Sequence, residues 1–422
     1  MSTDADTIVI GAGPAGLGAA LALGERALVL ERSPGPGGLA ATVTLEGAVF
    51  DYGGHSFHTP HAGIRKLVFD ALPMEEQTRQ ARCFVKGESI PYPFQKHFAK
   101  LSDAKVVAEC RAGLERTDFR GAQENLDKHL EHCYGSGIAR HFLRPYNEKL
   151  WGPDLTRLAV DWTGERMSGS PGDAARKPLQ GDTKVAYPAR GGYGEIFRAL
   201  AARVPRLRYG EGVSAIDPRS RSLTTTRGEQ LRWGNLVSTL PLPALLGLLP
   251  DAPASLRESV DQLVALPLVL VMVALKDRLD TPVQRIYCAG GEIPGHKVVL
   301  NHNSSSHLRS LPHHGILVEV SRAGASRNAT ADELTRQVVR GLKTLGLLED
   351  EKRIAATRVD EVAFGYPVPT RGRAAIVAEA RRWLDGQGIR TLGRFGEWAY
   401  INSDEALHRG LNLGVELCET TS

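Results

Sequence analysis

With 422 residues, the chain is long enough for several packed layers, and 42% apolar with 24% charged residues is an ordinary globular composition. The net charge of +4 suits a phosphorylated small molecule, and the absence of Lys/Arg runs interleaved with aromatics speaks against a nucleic-acid partner. The five cysteines, Cys83, Cys110, Cys133, Cys288 and Cys418, fall in no zinc-ligand or C-x-x-C spacing, which speaks against a metal centre and predicts free thiols in a reducing compartment.

In chain order, residues 7–10 (Thr-Ile-Val-Ile) predict a strand that begins too early for a secretory leader to precede it. A glycine turn, an alanine-rich helix and a second strand at 27–30 follow. Residues 64–151 read as mostly helical, broken by a hairpin near 83–90. Residues 154–184, rich in Gly, Pro and charge, read as loop with a short helix. Strands return at 207–216, 222–226 and 236–239. The longest apolar run, 263–275, is too short for a bilayer and reads as a buried strand opening the β-rich segment 264–320. Thr330 with Glu333 forms a capping box, and the last helix begins near Asn402 or Ser403 with Asp404 and Glu405 in its first turn.

The expected fold is α/β: a Rossmann-like dinucleotide domain, discontinuous over 1–60, 186–240 and 366–422. A mostly helical insertion (61–185) and an antiparallel-sheet substrate domain (241–365) interrupt it. A cytoplasmic location without membrane partner is expected.

Gly11-Ala-Gly13-Pro14-Ala15-Gly16 follows a strand and opens a helix, so the glycines allow a tight turn, close approach of a pyrophosphate and close helix–strand packing. The helix N-terminus favours the phosphates. Glu31, about 20 residues on, suits ribose hydroxyls and repels a 2′-phosphate. Arg32 then leads into Gly37-Gly38-Leu39, and Gly53-Gly54-His55 adds another glycine pair. A flavin running past backbone needs such gaps, so FAD is expected, and no second G-x-G-x-x-G points to a separate NAD(P) domain.

At Gly53-Gly54-His55, Pro91-Tyr-Pro-Phe94-Gln95, Tyr187-Pro-Ala-Arg190-Gly-Gly and Gly393-Arg394-Phe-Gly396 the chain resembles the UDP-galactopyranose mutase family, in its eukaryotic-type branch. The resemblance implies a pyranose/furanose mutase acting on a UDP-sugar. In it, reduced FAD, supplied with electrons by a reductant such as NADPH, attacks the anomeric carbon through N5 and displaces the nucleoside diphosphate. It implies that His55 is the mobile histidine near the flavin, that Arg190 contacts the diphosphate or the flavin, and that Tyr366 and Tyr400 contact the diphosphate. Phe94, Gln95, Asn147 and Trp151 are implied to hold the base, and Val213, Arg394, Asn402, Ser403 and Asp404 the FAD. Taken without the resemblance, His58 reads as structural or exposed, and each tyrosine as half-buried packing.

The match departs at the substrate pocket. Lys297 stands where the family has a second diphosphate arginine, Ser304 where it has a further tyrosine, and Arg285 where it has a sugar-pocket tryptophan, while Tyr287 is kept. Lysine keeps the charge but loses the bidentate fork. The expectation is intact flavin chemistry with an altered sugar and phosphate pocket, which leaves galactose and another sugar, for instance one from specialised metabolism, both open. Two alternatives remain open: an FAD-dependent oxidase or dehydrogenase of the amine-oxidase type, and a non-catalytic flavin-binding protein.

Overall fold

A computed structural model describes residues 4–115, 123–167, 184–324 and 326–420. The chain opens with β1 (Ala5–Ile10), α1 (Pro14–Leu23) and β2 (Ala27–Glu31), followed by the hairpin β3 (Thr42–Leu45) and β4 (Ala48–Asp51). β5 (Met74–Thr78), β6 (Ala81–Val85) and β7 (Glu88–Pro91) precede α2 (Ala104–Glu115), α3 (Leu126–Ile138) and α4 (Arg144–Trp151). Then come β8 (Lys184–Pro188), α5 (Glu195–Ala201), β9 (Leu207–Tyr209) and the meander β10 (Val213–Asp217), β11 (Ser222–Thr225) and β12 (Gln230–Ser238). The remainder holds β13 (Ala265–Leu275), β14 (Arg285–Cys288), β15 (Lys297–Val299), β16 (Gly315–Ser321) and α6 (Ala331–Thr344). It closes with β17 (Ile354–Pro367), α7 (Arg373–Gly386), β18 (Ile389–Thr391) and α8 (Ser403–Glu419).

The first sheet runs β10-β11-β12-β1-β2-β9, with β18 also on β12. Its β18-β12-β1-β2-β9 part is parallel. Because helices cover both faces, these strands are apolar on both sides. Val9, Val29 and Val237 pack towards α1, α5 and α8, and Ile8, Ile10, Leu28 and Leu236 towards α7. The strand expected at 207–216 is two strands, because Gly210 (φ 65°) turns the chain between them. β9 then pairs with β2 at one edge and β10 with β11 at the other.

The second sheet runs β17-β13-β16-β15-β14-β6-β7. Expected to be antiparallel, it contains one parallel pair, β14–β6, because the hairpin β6–β7 crosses from the expected helical insertion. Alternation along the strands separates its faces. Val271, Val273, Ile286, Val298, Val318 and Val320 meet α6 through Leu334, Val338 and Leu342. The other face is covered by Ala48 and Phe50 of the β3–β4 hairpin, against Leu270, Met272, Val299 and Leu317. The capping box on α6 is formed in both directions. Part of the expected 154–184 loop, residues 168–183, lies outside the described residues. Among the described residues, no helix is long and apolar enough to cross a membrane.

Candidate flavin and substrate cleft

At the C-terminal ends of β1 and β2 the backbone turns through Gly11 at φ 101°, where a Cβ would lie 2.2 Å from Thr239 Oγ1. A Cβ on Gly16 would lie 1.9 Å from the Gly11 carbonyl oxygen, so α1 can start at Pro14 and Ala15 only against a bare backbone. Nothing lies within 4 Å of a Cβ on Gly13, and this open side faces the helix N-terminus where a pyrophosphate fits. Glu31 is buried and accepts from Ala12 N and Ser33 N, each at 2.8 Å. A carboxylate offers about four lone-pair positions, leaving two for ribose hydroxyls. Gly37 N donates to Ala12 O, and Glu211 N to Glu31 O. These bonds bring Gly38, Leu39 and half-buried Val213 beside the glycine turn, with Arg32 exposed at its edge.

The hairpin ends in Asp51, which is fully buried and accepts from Thr42 Oγ1 (2.5 Å), Tyr187 Oη (2.7 Å) and Tyr193 N (2.9 Å). Burial raises its carboxyl, and these donors pull it back. The same bonds hold the Ala-Arg190-Gly-Gly turn on the hairpin. Arg190 itself is exposed there, and its guanidinium meets no partner among the described residues.

Gly53-Gly54-His55 passes directly over the second sheet. Gly54 N donates to Glu319 Oε1 at 2.8 Å, and the His55 ring stacks on Tyr193 at 4.9 Å. Burial pushes the His55 imidazole down to about 3; Glu319 pulls it up, and Arg285, Arg394 and Lys297 push it further down. His55 is therefore neutral at physiological pH, with Nδ1 buried and unbonded. Lys297, expected to face a diphosphate, points instead at the fully buried Glu319, with Nζ 2.8 Å from Oε2. Burial alone would raise the Glu319 carboxyl, but Lys297 and then His296 hold it well below the usual carboxylate range. Arg285 lies on the same face and donates to Ser56 Oγ.

Tyr287, two residues on, stacks with Tyr92 at 4.6 Å and meets Tyr146 edge-on. Tyr366 and Tyr400 meet edge-on at 5.2 Å, and the Arg394 guanidinium sits 5.5 Å from the Tyr366 ring centroid and 6.0 Å from that of Tyr400. Arg394 also donates to Ile401 O and Gly365 O, so it ties the two tyrosines into one wall. Trp151 is fully buried against both tyrosines, with its indole Nε1 unbonded. Phe94, expected to stack on a base, is fully buried and parallel to Phe142 at 4.8 Å; Gln95 beside it is half-buried. Asn147 donates to Leu143 O within the π-turn Ala139–Leu143 that feeds α4.

At the start of α8, exposed Asn402 occupies the cap position without a side-chain cap bond. Ser403 Oγ bonds Tyr193 Oη at 2.8 Å. Asp404 is buried, which raises its carboxyl, with Thr59 opposing.

Three groups went unread as site residues: Glu319, Arg79 and Tyr146. Glu319 had a signal, a carboxylate in the middle of the apolar run Ile316-Leu-Val-Glu-Val320. A charge there is buried and must be paired.

The family profile described as flavin containing amine oxidoreductase matches residues 14–392. The crystal structure of reduced UDP-galactopyranose mutase matches with a TM-score of 0.89 at 24% identity, over 99% of this chain and 96% of that one. Cyclohexylamine oxidase from Brevibacterium oxydans IH-35A matches with 0.71 at 16%, over 99% of each chain. A CLA-producing fatty acid isomerase from P. acnes matches with 0.68 at 15%, again over 99% of each. These likenesses show the fold, and with the glycine cradle they make FAD the cofactor. The chain belongs to the flavin-containing amine oxidoreductase family.

Proposed function

We propose that the protein is a reduced-flavin-dependent nucleotide-sugar mutase, interconverting pyranose and furanose forms of a UDP-linked sugar. The observation that carries this reading is the wall that Arg394 forms with the phenols of Tyr366 and Tyr400, beside His55. A diphosphate meets charge-assisted hydrogen bonds there, whereas a protonated amine meets repulsion.

Bound FAD, when reduced, supplies a nucleophile for the anomeric carbon, so the reaction carries no net redox change. The chain's own residues bind and orient. Tyr366 and Tyr400 donate to the departing diphosphate, and Trp151 Nε1, buried and unbonded, donates to the nucleotide. Neutral His55 accepts a sugar hydroxyl without adding charge. Glu319, with Lys297 as its counterion, holds the Gly54 turn, while Arg190 carries an exposed charge on the turn before Tyr193.

The family itself favours a second reading, an amine-oxidase-type oxidase. The two separate in one anaerobic assay with UDP-galactopyranose and other UDP-hexoses. Dithionite-reduced enzyme is expected to interconvert ring forms, resolved by chromatography, and oxidised enzyme is not. Loss of flavin absorbance on adding an amine, restored by oxygen, without any ring interconversion, sinks the mutase reading.

A further inference from the structure

The sheet face beneath His55 carries more positive charge than one neutral sugar explains. Arg285 is 7% exposed and donates to Ser56 Oγ at 2.8 Å. A Cβ on Gly54 would lie 3.1 Å from its Nε, which sets this guanidinium against the turn that carries His55. The Gln80 carbonyl accepts from Gln284 N and Arg285 N, and so brings the preceding residue, Arg79, to the same place. Arg79 Nε is buried without a hydrogen-bond partner. Burial and then Arg285 depress the Arg79 guanidinium, as two neighbouring like charges require.

No carboxylate pairs with either arginine among the described residues. The buried carboxylate nearby, Glu319, is taken by Lys297 and Gly54 N. Arg394, over Tyr366 and Tyr400, is a separate positive centre built by other elements. Two guanidiniums close enough to repel each other are stabilised when an anion lies between them. With Tyr366, Tyr400 and Arg394 serving the diphosphate, a second anionic group of the ligand answers this second centre. Its position beside His55 is the sugar end, because the reacting anomeric carbon must lie against the flavin.

We propose that Arg79 and Arg285 bind an oxyanion on the sugar itself, and that the substrate is a nucleotide-linked sugar acid whose carboxylate fits the guanidinium fork. The inference rests on the nucleotide-sugar reading above. Calorimetric titration of the FAD-loaded enzyme with UDP, UDP-galactose and UDP-galacturonate tests it. UDP-galacturonate is expected to bind about tenfold or more tighter than UDP-galactose. Arg285→Gln and Arg79→Gln should each abolish that margin while UDP alone binds within about twofold of wild type. The flavin absorbance and circular dichroism of the variants check that they are folded.

Equal affinity of the wild type for the two conjugates overturns the proposal. So does a parallel loss of UDP and UDP-galacturonate binding in both variants, which would assign the arginines to the diphosphate. A preference for the acid without ring interconversion upholds this site and overturns the mutase reading alone.

Discussion

At the scale of single residues, the cleft is organised by buried charges that answer one another. Glu319 is the hinge of this arrangement, since it holds both Lys297 and the Gly54 backbone. Glu319→Gln leaves the Lys297 ammonium uncompensated, and stability should fall by about 3–5 kcal/mol in urea unfolding. Lys297→Met combined with Glu319→Leu should recover much of that loss; a single variant as stable as wild type contradicts the pairing.

Two buried histidines contribute to the acid limit. Burial pushes His302 down to about 3, with His314, stacked on it at 4.0 Å, pushing further, and His55 lies at about 3 as well. Both folded values lie below the ordinary one, so the unfolded chain binds protons that the native state refuses. Their contribution is complete above about pH 6.5 and is lost as pH falls towards 3, by up to about 1.4 kcal/mol per pH unit for each group. Urea midpoints measured between about pH 7 and pH 5 should show this slope, and His302→Gln should flatten it; an unchanged slope in that variant shows that His302 does not set it.

At the scale of elements, the flavin site depends on a contact that no local pattern announces. α8 lies on α1 with almost no gap. A Cβ on Gly410 would fall 2.1 Å from Ala15 O, one on Gly414 2.6 Å from Ala19 O, and one on Gly18 2.4 Å from Leu407 O. This seating delivers Ser403 and Asp404 to Tyr193 and Thr59. Gly410→Val must separate the helices, and about 1–3 kcal/mol of stability should be lost together with FAD retention on gel filtration. A variant that keeps wild-type stability and full FAD content shows that the seating is dispensable.

The βαβ start was legible because its glycine spacing, flanking strand and acid are local in sequence. The α1–α8 seating was not, since glycines in a final helix look like mere helix weakeners until their partner is known. The split at Gly210 and the parallel docking of β6 on β14 were missed for the same reason: non-local pairing leaves no period in the chain.

At the scale of the whole molecule, a partly parallel FAD-binding sheet and a mixed second sheet are bridged by the β3–β4 hairpin, which covers the second sheet and ends in Asp51, the acceptor for Tyr193 N. The sequence alone supported FAD, the α/β class and the interrupted nucleotide domain. It named Tyr366 and Tyr400 for a diphosphate and Trp151 for a base, three residues whose rings pack against one another in the fold, whereas His55 stacks on Tyr193. Its alignment of Lys297 to a ligand-facing arginine could not reveal the carboxylate that the ammonium meets on the neighbouring strand. It gave Phe94 a stacking role, although the ring lies parallel to Phe142 inside the core.

Positional isotope exchange shows whether this flavin cleft breaks and remakes an anomeric carbon–oxygen bond. UDP-galactose or UDP-galacturonate carrying a labelled bridging oxygen is incubated with dithionite-reduced enzyme and followed by phosphorus NMR. The label is expected to scramble into the non-bridging positions of the β-phosphate with reduced enzyme and to stay in place with oxidised enzyme. Retention of the label in both states, with either sugar, contradicts it.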